Sequence, residues 1–299
     1  MNGYCDVYKH SGKIGPAAYM IPAAGIISAI VLSFIYAYIT VYSPVPGYIS
    51  IIFVLVFALS LGFVISKVCF WGKCRNQVFL NVSSFLIGTF ALYFSWIVFI
   101  YALFNQNGNT EIELRIFRMF ISPGVVWDLI QSTNETGWYS ILSWTPSGSA
   151  LWTFWGIEAI IIVAVPLIIS SKVIDSEMFC EKCSDWCVSV EALNLAIPDD
   201  DELLKEIKKG DAESLADLDR APEAEYSYIS VVLQYIRVAL YYCNGCNVTA
   251  GYKLKHVTKK TGNEEKEKEK IENITGLFVV PHDSFEKLSD LSNRQDYDS

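Results

Sequence analysis

AAYMIPAAGIISAIVLSFIYAYITVY, from Ala17 to Tyr42, is an uncharged apolar run. A helix needs roughly 20 residues to cross about 30 Å of hydrocarbon, so this stretch alone spans a bilayer. Lys9 and Lys13 precede it, as in a secretory signal. Its apolar part far exceeds the core of a signal peptide, and no A-x-A cleavage site follows, so it reads as a retained anchor. Three more such runs follow, at about Tyr48 to Ile65, Val78 to Phe104 and Leu151 to Ser170. In lipid only a helix or a closed barrel satisfies its own backbone groups, and unbroken runs of this length fit helices.

The charge distribution divides the chain in the same way. Residues up to Lys172 hold six acids and eight Lys or Arg, whereas residues from Val173 onward hold 26 acids and 15 bases, within a net charge of −9. The expected architecture is an α-helical membrane bundle of four transmembrane helices over residues 1–172. A small β-rich α+β, zinc-ribbon-like domain over 173–299 follows it. With 52% hydrophobic and 18% charged residues, collagenous, disordered and nucleic-acid-wrapping classes are excluded.

Basic residues set the expected orientation. Lys9 and Lys13, the group Lys67, Lys73 and Arg75, and Lys172 all fall on one side of the four spans, which the positive-inside rule makes the cytoplasm. Arg115 and Arg118 dissent from the other side. Both termini and the acidic tail are expected in the cytoplasm. On the opposite side, residues 111–121 repeat apolar side chains at helical spacing before stopping at Pro123-Gly124. They read equally as an interfacial helix or as a lid across the bundle. The triplets at Asn134, Asn247 and Asn273 match the glycosylation pattern, which is too common by chance to carry weight.

Eight cysteines are unevenly placed. Cys5, Cys69 and Cys74 stand alone, whereas Cys180-Glu-Lys-Cys183-Ser-Asp-Trp-Cys187 and Cys243-Asn-Gly-Cys246 form two clusters. A C-x2-C pair aims two thiolates at one ion from a single tight turn, and two such knuckles complete a tetrahedral shell. Asn244-Gly245 suits the turn, since glycine tolerates positive φ. Cys180, Cys183, Cys243 and Cys246 are therefore the expected ligands of a structural zinc. Cys187 is a spare able to replace one of them, and His256 and His282 are weaker candidates. The interval from Cys183 to Cys243 exceeds that of a simple zinc ribbon, so a domain must insert between the knuckles. Disulfides or a redox dithiol are the competing readings, the first disfavoured in a reducing cytoplasm.

Between the clusters, Ile197-Pro198-Asp199-Asp200-Asp201 starts a helix with acids in its first turn. The β-branched and aromatic stretch leading to Cys243 reads as a strand. Further strands are expected over Val248 to His256 and Ile274 to Val280, a turn at Thr261-Gly262-Asn263, and a closing helix from Asp283. The arrangement resembles uncharacterised bacterial four-span integral membrane proteins with a C-terminal cytoplasmic domain bearing two C-x2-C motifs. That resemblance rests on Ser11-Gly12-Lys13, Gly72-Lys73-Cys74-Arg75-Asn76 and the two cysteine pairs. It implies location and layout, with no activity attached.

Glu158 is the one ionisable residue inside a span. A carboxylate there is costly unless paired, protonated or facing a wet cavity. It is either an intramembrane site or a neutral acid hydrogen-bonded to Ser95 or Tyr93 on the third span. No G-x-S-x-G, P-loop or H-E-x-x-H motif occurs, so the reading leans away from an enzyme. Small residues at Ala23, Ala24, Gly25, Ser28 and Gly62 favour close helix packing or self-association. Three functions follow. The first is a membrane anchor for a cytoplasmic zinc-stabilised module that binds another protein. The others are a membrane thiol-disulfide oxidoreductase and a small channel or carrier centred on Glu158. Beyond the lipid bilayer, the expected partner is a cytoplasmic protein, and no nucleic acid is expected.

Overall fold

The computed structural model describes residues 4–42, 50–106, 116–137, 145–221, 231–246, 248–261 and 268–293. The chain divides into two compact units: Ser11–Asp175, and the residues from Ser176 onward together with the N-terminal segment up to His10.

The first unit contains α1 (Ala17–Tyr42), α2 (Ser50–Trp71), α3 (Gln77–Gln106), α4 (Ile116–Phe120), α5 (Pro123–Thr136) and α6 (Gly148–Asp175). Four of these, α1, α2, α3 and α6, are long and apolar enough to cross a membrane. Two of them outrun the expected spans. α2 continues past Ile65 to Trp71 and takes in Lys67, whose Nζ lies 5.4 Å from the Phe63 ring centre. A long side chain that lays its stem along apolar surface and lifts its charge outward extends a helix in this way. α6 continues to Asp175, past Lys172.

α1 packs on α2 and α3, and α6 packs on the same two helices, so the four close a bundle. Small residues set the approach. α1 buries a residue every fourth position, Ala17, Ile21, Gly25, Ala29, Ser33, Ala37 and Val41. Of the small residues noted in the sequence, Gly25 and Gly62 lie at contacts. A Cβ on Gly62 would stand 3.1 Å from Pro166 Cα, and one on Gly88 would stand 3.2 Å from Val163 Cα. Hydroxyls supply the polar links: Ser84 and Ser170 share a hydrogen bond of 2.8 Å between α3 and α6. Without a hydrophobic drive between helices in lipid, close packing and such bonds hold a bundle together.

α4 stops before Pro123-Gly124 as expected, and a further, unforeseen helix starts there. Pro123 takes the first position of α5, where its missing N–H costs nothing and its fixed φ suits the helix. Of the segment 111–121, residues 111–115 lie outside the described residues and the rest is the single turn α4. Asn134 on α5 is buried and its amide donates to Gly148 O at 3.0 Å, so that triplet offers no sugar acceptor in this fold.

The second unit is built on one antiparallel sheet. Its elements are the two-residue strands β1 (Phe179–Cys180) and β2 (Asp185–Trp186), then β3 (Val188–Leu195), α7 (Asp201–Lys209), α8 (Ala212–Ala216), β4 (Val231–Tyr242), β5 (Ala250–Thr261), β6 (Lys268–Asn273), β7 (Phe278–Val279) and α9 (His282–Asn293). The strand order is β3-β4-β5-β6, with β7 also paired to β5. α7 starts where the aspartates predicted, Asp200 accepting from Glu202 N at 2.8 Å. α7, α8 and α9 cover one sheet face, burying Ile207, Leu215 and Leu288 against Ile236, Val238, Leu240 and Leu254.

One strand was not foreseen and one expected strand is shorter. β3 escaped the sequence reading because a register shift between Glu191 and Leu193 breaks the two-residue alternation that marks a strand. The strand expected over Ile274 to Val280 exists only at Phe278–Val279. Leu254 N donates to Thr275 Oγ1 at 3.1 Å, so a side chain replaces the ladder carbonyl and the strand is interrupted. β6 forms at the sheet edge from Lys268 on, where the alternating charges of Glu264 to Lys270 read as an exposed edge or hairpin arm. The expected turn lies mostly outside the described residues, since 262–267 are not described.

The N-terminal segment joins this sheet. Cys5 N donates to Gly210 O at 2.8 Å, Tyr8 N to Leu277 O at 2.7 Å, and Val279 N to Asp6 O at 2.9 Å.

Candidate metal centre

The strand register brings the two cysteine clusters together. β3 pairs with β4 from Val188 opposite Tyr242. The residue before Val188 is Cys187 and the residue after Tyr242 is Cys243, so both knuckles emerge from the same end of the sheet. The second knuckle is itself the connection of the β4–β5 hairpin, closed by Cys243 N donating to Thr249 O at 3.0 Å. The first is the turn of the β1–β2 hairpin, in which Cys180 faces Asp185. The residues between the clusters therefore leave and return to one place, and their number sets no limit on a shared site.

The sulfurs of Cys180, Cys183, Cys243 and Cys246 all lie within 4.8 Å of one another. Across the knuckles, Cys180 Sγ is 3.6 Å from Cys246 Sγ. Four thiolates at about 2.3 Å from a zinc ion stand about 3.8 Å apart along each tetrahedral edge. A disulfide would need about 2.05 Å. The arrangement matches ligands grouped around an ion, and these four cysteines could hold one.

Local backbone supports the grouping. Ser184, just after the first pair, has φ +52°, the left-handed conformation that turns the hairpin back. Gly245 has no such φ, contrary to the sequence argument. Glycine is needed there for space, since a Cβ would stand 2.9 Å from Cys183 Sγ. Donors point at the sulfurs. Thr249 Oγ1 donates to Cys180 Sγ at 3.2 Å and Cys183 N to the same atom at 3.5 Å.

The four sulfurs differ in how readily they ionise. Burial raises the Cys180 thiol, but the Thr249 hydroxyl, the Cys183 N–H and the neighbouring thiols outweigh it and bring the pKa to about 6. The backbone N–H of Val248 lowers Cys246. Cys183 is pushed up to about 12 because its thiol donates to Cys246 and Cys243. Cys180 and Cys246 are thus shifted towards the thiolate, whereas Cys183 holds its proton in its bonds to Cys246 and Cys243. A divalent cation among them is what allows all four to be thiolates.

Cys187 is buried beside the cluster but outside it. Burial, followed by the charge of its neighbours, pushes its thiol up to about 12. Its N–H donates to Met178 O at 2.8 Å. His256 sits on β5 opposite Glu272 and is not among the clustered ligands. Among known protein families, curated proteins and solved structures, nothing matches this chain. The likeness of its short strings to four-span bacterial proteins therefore assigns no family, and four apolar helices followed by a cysteine cluster is the layout that stands.

Gly245→Ala tests the packing of the centre. The added methyl must displace Cys183 Sγ, so metal affinity is expected to fall about tenfold or more, read by competition with a chromogenic chelator. A result within twofold of the unaltered chain would count against the crowding.

Glu158 lies in the bundle, bonded to other helices than the predicted third-span partners. Its Oε1 accepts from Ser50 Oγ of α2 at 3.2 Å, and the Tyr36 hydroxyl of α1 also bonds to it. Ser95 donates instead to Leu92 O at 2.8 Å and Tyr93 to Phe120 O at 2.9 Å. Both hydroxyls thus donate to backbone carbonyls and not to Glu158, although Ser95 lines the same cavity.

Proposed function

We propose that the chain is a membrane anchor for a cytoplasmic, zinc-stabilised module that binds another protein. The observation that carries this reading is the convergence of four sulfurs from two knuckles into one cluster. A redox dithiol would need one pair able to cycle alone, whereas here the close cross-knuckle contact ties the pairs together. Four thiolates fill a zinc shell and leave no open position for substrate, so the ion's role is to hold the fold. A cytoplasmic location follows from Lys13, Lys67, Lys73, Arg75 and Lys172, and free thiols persist there.

A protein partner is favoured by the edge of the sheet. β3 is an outer strand whose far side is bridged at its Leu195 end by Arg220, with Ala221 N donating to Asn194 O at 3.0 Å and Ala196 N to Asp219 O at 2.8 Å. Val188 and Val190 on that strand are exposed. An extended segment of a partner can add to such an edge through main-chain hydrogen bonds, with alternate side chains giving specificity.

Elemental analysis and thiol counting on the purified full-length chain test the reading. One zinc per chain is expected, with four thiols that react only after chelation. Metal-free protein with a pair that cycles between dithiol and disulfide would overturn it in favour of an oxidoreductase. A photo-crosslinker at Val190 is expected to capture a discrete partner in intact cells, and Val188→Lys is expected to abolish that product.

A further inference from the structure

The bundle holds a second site with different chemistry. Beside Glu158 is a cavity of about 30 Å³ whose walls include Tyr36, Thr40, Ser95, Trp96, Phe99 and Trp155. That is more room than one water needs. Among the described residues, no Lys, Arg or His lines it. The aromatic rings are arranged edge to face: Trp96 and Trp155 are 4.8 Å apart and Trp96 and Phe99 are 5.6 Å apart.

This cavity adjoins a larger, mostly apolar groove of about 540 Å³ between α3, α5 and α6. The two share Leu92, Trp96, Trp155 and Ala159 in their walls. Farther along the groove stand Trp127 and Trp152, their rings 5.3 Å apart.

The lining selects the charge and type of occupant. An ionised carboxyl inside a bundle is costly unless a cation comes with it, and the walls provide none. A small metal cation wants six or more oxygens. Among the described walls, the Glu158 carboxylate and the hydroxyls of Tyr36, Thr40 and Ser95 offer five side-chain oxygens at most, and the rest is mainly hydrocarbon and rings. An organic ammonium instead takes its stabilisation from π faces and a single anion.

We propose that this cavity and groove bind a singly charged organic ammonium with an apolar body. The head lies against Glu158 among the Tyr36, Trp96 and Trp155 rings, and the body runs along the Trp127–Trp152 groove. A phospholipid with a choline head carries a phosphate a few atoms from its ammonium. That phosphate would meet the Glu158 carboxylate with no basic residue among the described walls to offset it. The occupant is therefore a cationic amphiphile and not a zwitterionic lipid.

The test uses the full-length chain in dodecyl maltoside, immobilised on beads, with radiolabelled dodecyltrimethylammonium as the probe and empty micelles as the blank. Saturable binding above the blank is expected. Glu158→Gln is expected to weaken it tenfold or more while eluting as the unaltered chain does. Should that variant fail to fold, competition on the unaltered chain decides. Unlabelled dodecyltrimethylammonium should displace the probe at concentrations at least tenfold lower than dodecylphosphocholine, which has the same tail and an added phosphate. Binding no greater than the blank, or unchanged in Glu158→Gln, would overturn the proposal. Equal displacement by the two amphiphiles would overturn it in favour of a phospholipid site.

Discussion

Cys180→Ala in the full-length chain is expected to release the metal and unfold the unit that begins at Ser176, leaving the helical bundle intact. The magnitude follows from what a closed thiolate site supplies. Structural zinc sites contribute about 10–16 kcal/mol of apparent binding energy in small domains, whereas a whole domain is typically stable by only about 5–15 kcal/mol. Cys180 is fully buried and accepts bonds from both Thr249 and Cys183 N. Its loss removes a ligand and strands two donors. It also unties the β1–β2 turn from the β4–β5 turn, which meet through the sulfurs. Limited proteolysis checks this: the variant should be cut throughout residues 176–299 under conditions where the unaltered chain resists, with a protected fragment corresponding to the bundle. Cys187→Ala provides the contrast. That thiol is buried beside the cluster without belonging to it. Its removal should leave one metal per chain and cost about 1–2 kcal/mol for a small cavity. Equal metal content in Cys180→Ala and the unaltered chain would refute the assignment of ligands. Loss of metal in Cys187→Ala would make Cys187 a ligand.

What was legible in the sequence divides along physical lines. Helices in lipid announce themselves because each must be apolar over its whole length, and the run at Ala17–Tyr42 has the bounds of the helix it forms. The cysteine set was legible because thiolate ligands need fixed spacing within each knuckle. Nothing local, however, shows that Cys187 and Cys243 leave neighbouring strands at adjacent positions, because that depends on the pairing of Val188 with Tyr242. β3 was hidden by its bulge, and α5 by the habit of reading Pro-Gly as an end when proline also begins helices. Glu158 was found by its charge. Its partners, Ser50 and Tyr36, come from helices far away in the chain, and no periodicity reports them. Gly245 was picked out for the wrong reason: its φ is ordinary, and the space beside Cys183 Sγ is what requires it.

Gly72→Leu is expected to prevent the bundle from closing. A Cβ at Gly72 would stand 2.7 Å from Ala17 Cα, 2.8 Å from its Cβ and 2.9 Å from its N. These are backbone or backbone-fixed atoms at the start of α1, so no flexible side chain can move to absorb the clash. The two segments must part, and other contacts part with them. Ala17 N donates to Gly72 O at 3.3 Å, Arg75 N to Lys13 O at 2.8 Å, and Asn76 Nδ2 to Gly12 O at 2.9 Å. Asn76 Oδ1 also accepts from Phe79 N at 2.8 Å and so caps α3. The strings Ser11-Gly12-Lys13 and Gly72-Lys73-Cys74-Arg75-Asn76 are thus two halves of one clasp joining α1 to the α2–α3 turn. Overpacking usually costs about 1–3 kcal/mol, and a clash with immovable backbone at a hydrogen-bonded junction belongs at or beyond the upper end. Gly72→Ala already places the offending atom and should show most of the loss. Gly156→Ala is the control, because a Cβ there meets nothing within 4 Å. Since alanine favours helix over glycine, it should be neutral or mildly stabilising. Unfolding of the full-length chain in mixed micelles of rising dodecyl sulfate content separates the cases. If Gly72→Leu and Gly156→Ala unfold at the same dodecyl sulfate fraction, the junction does not hold the bundle end together.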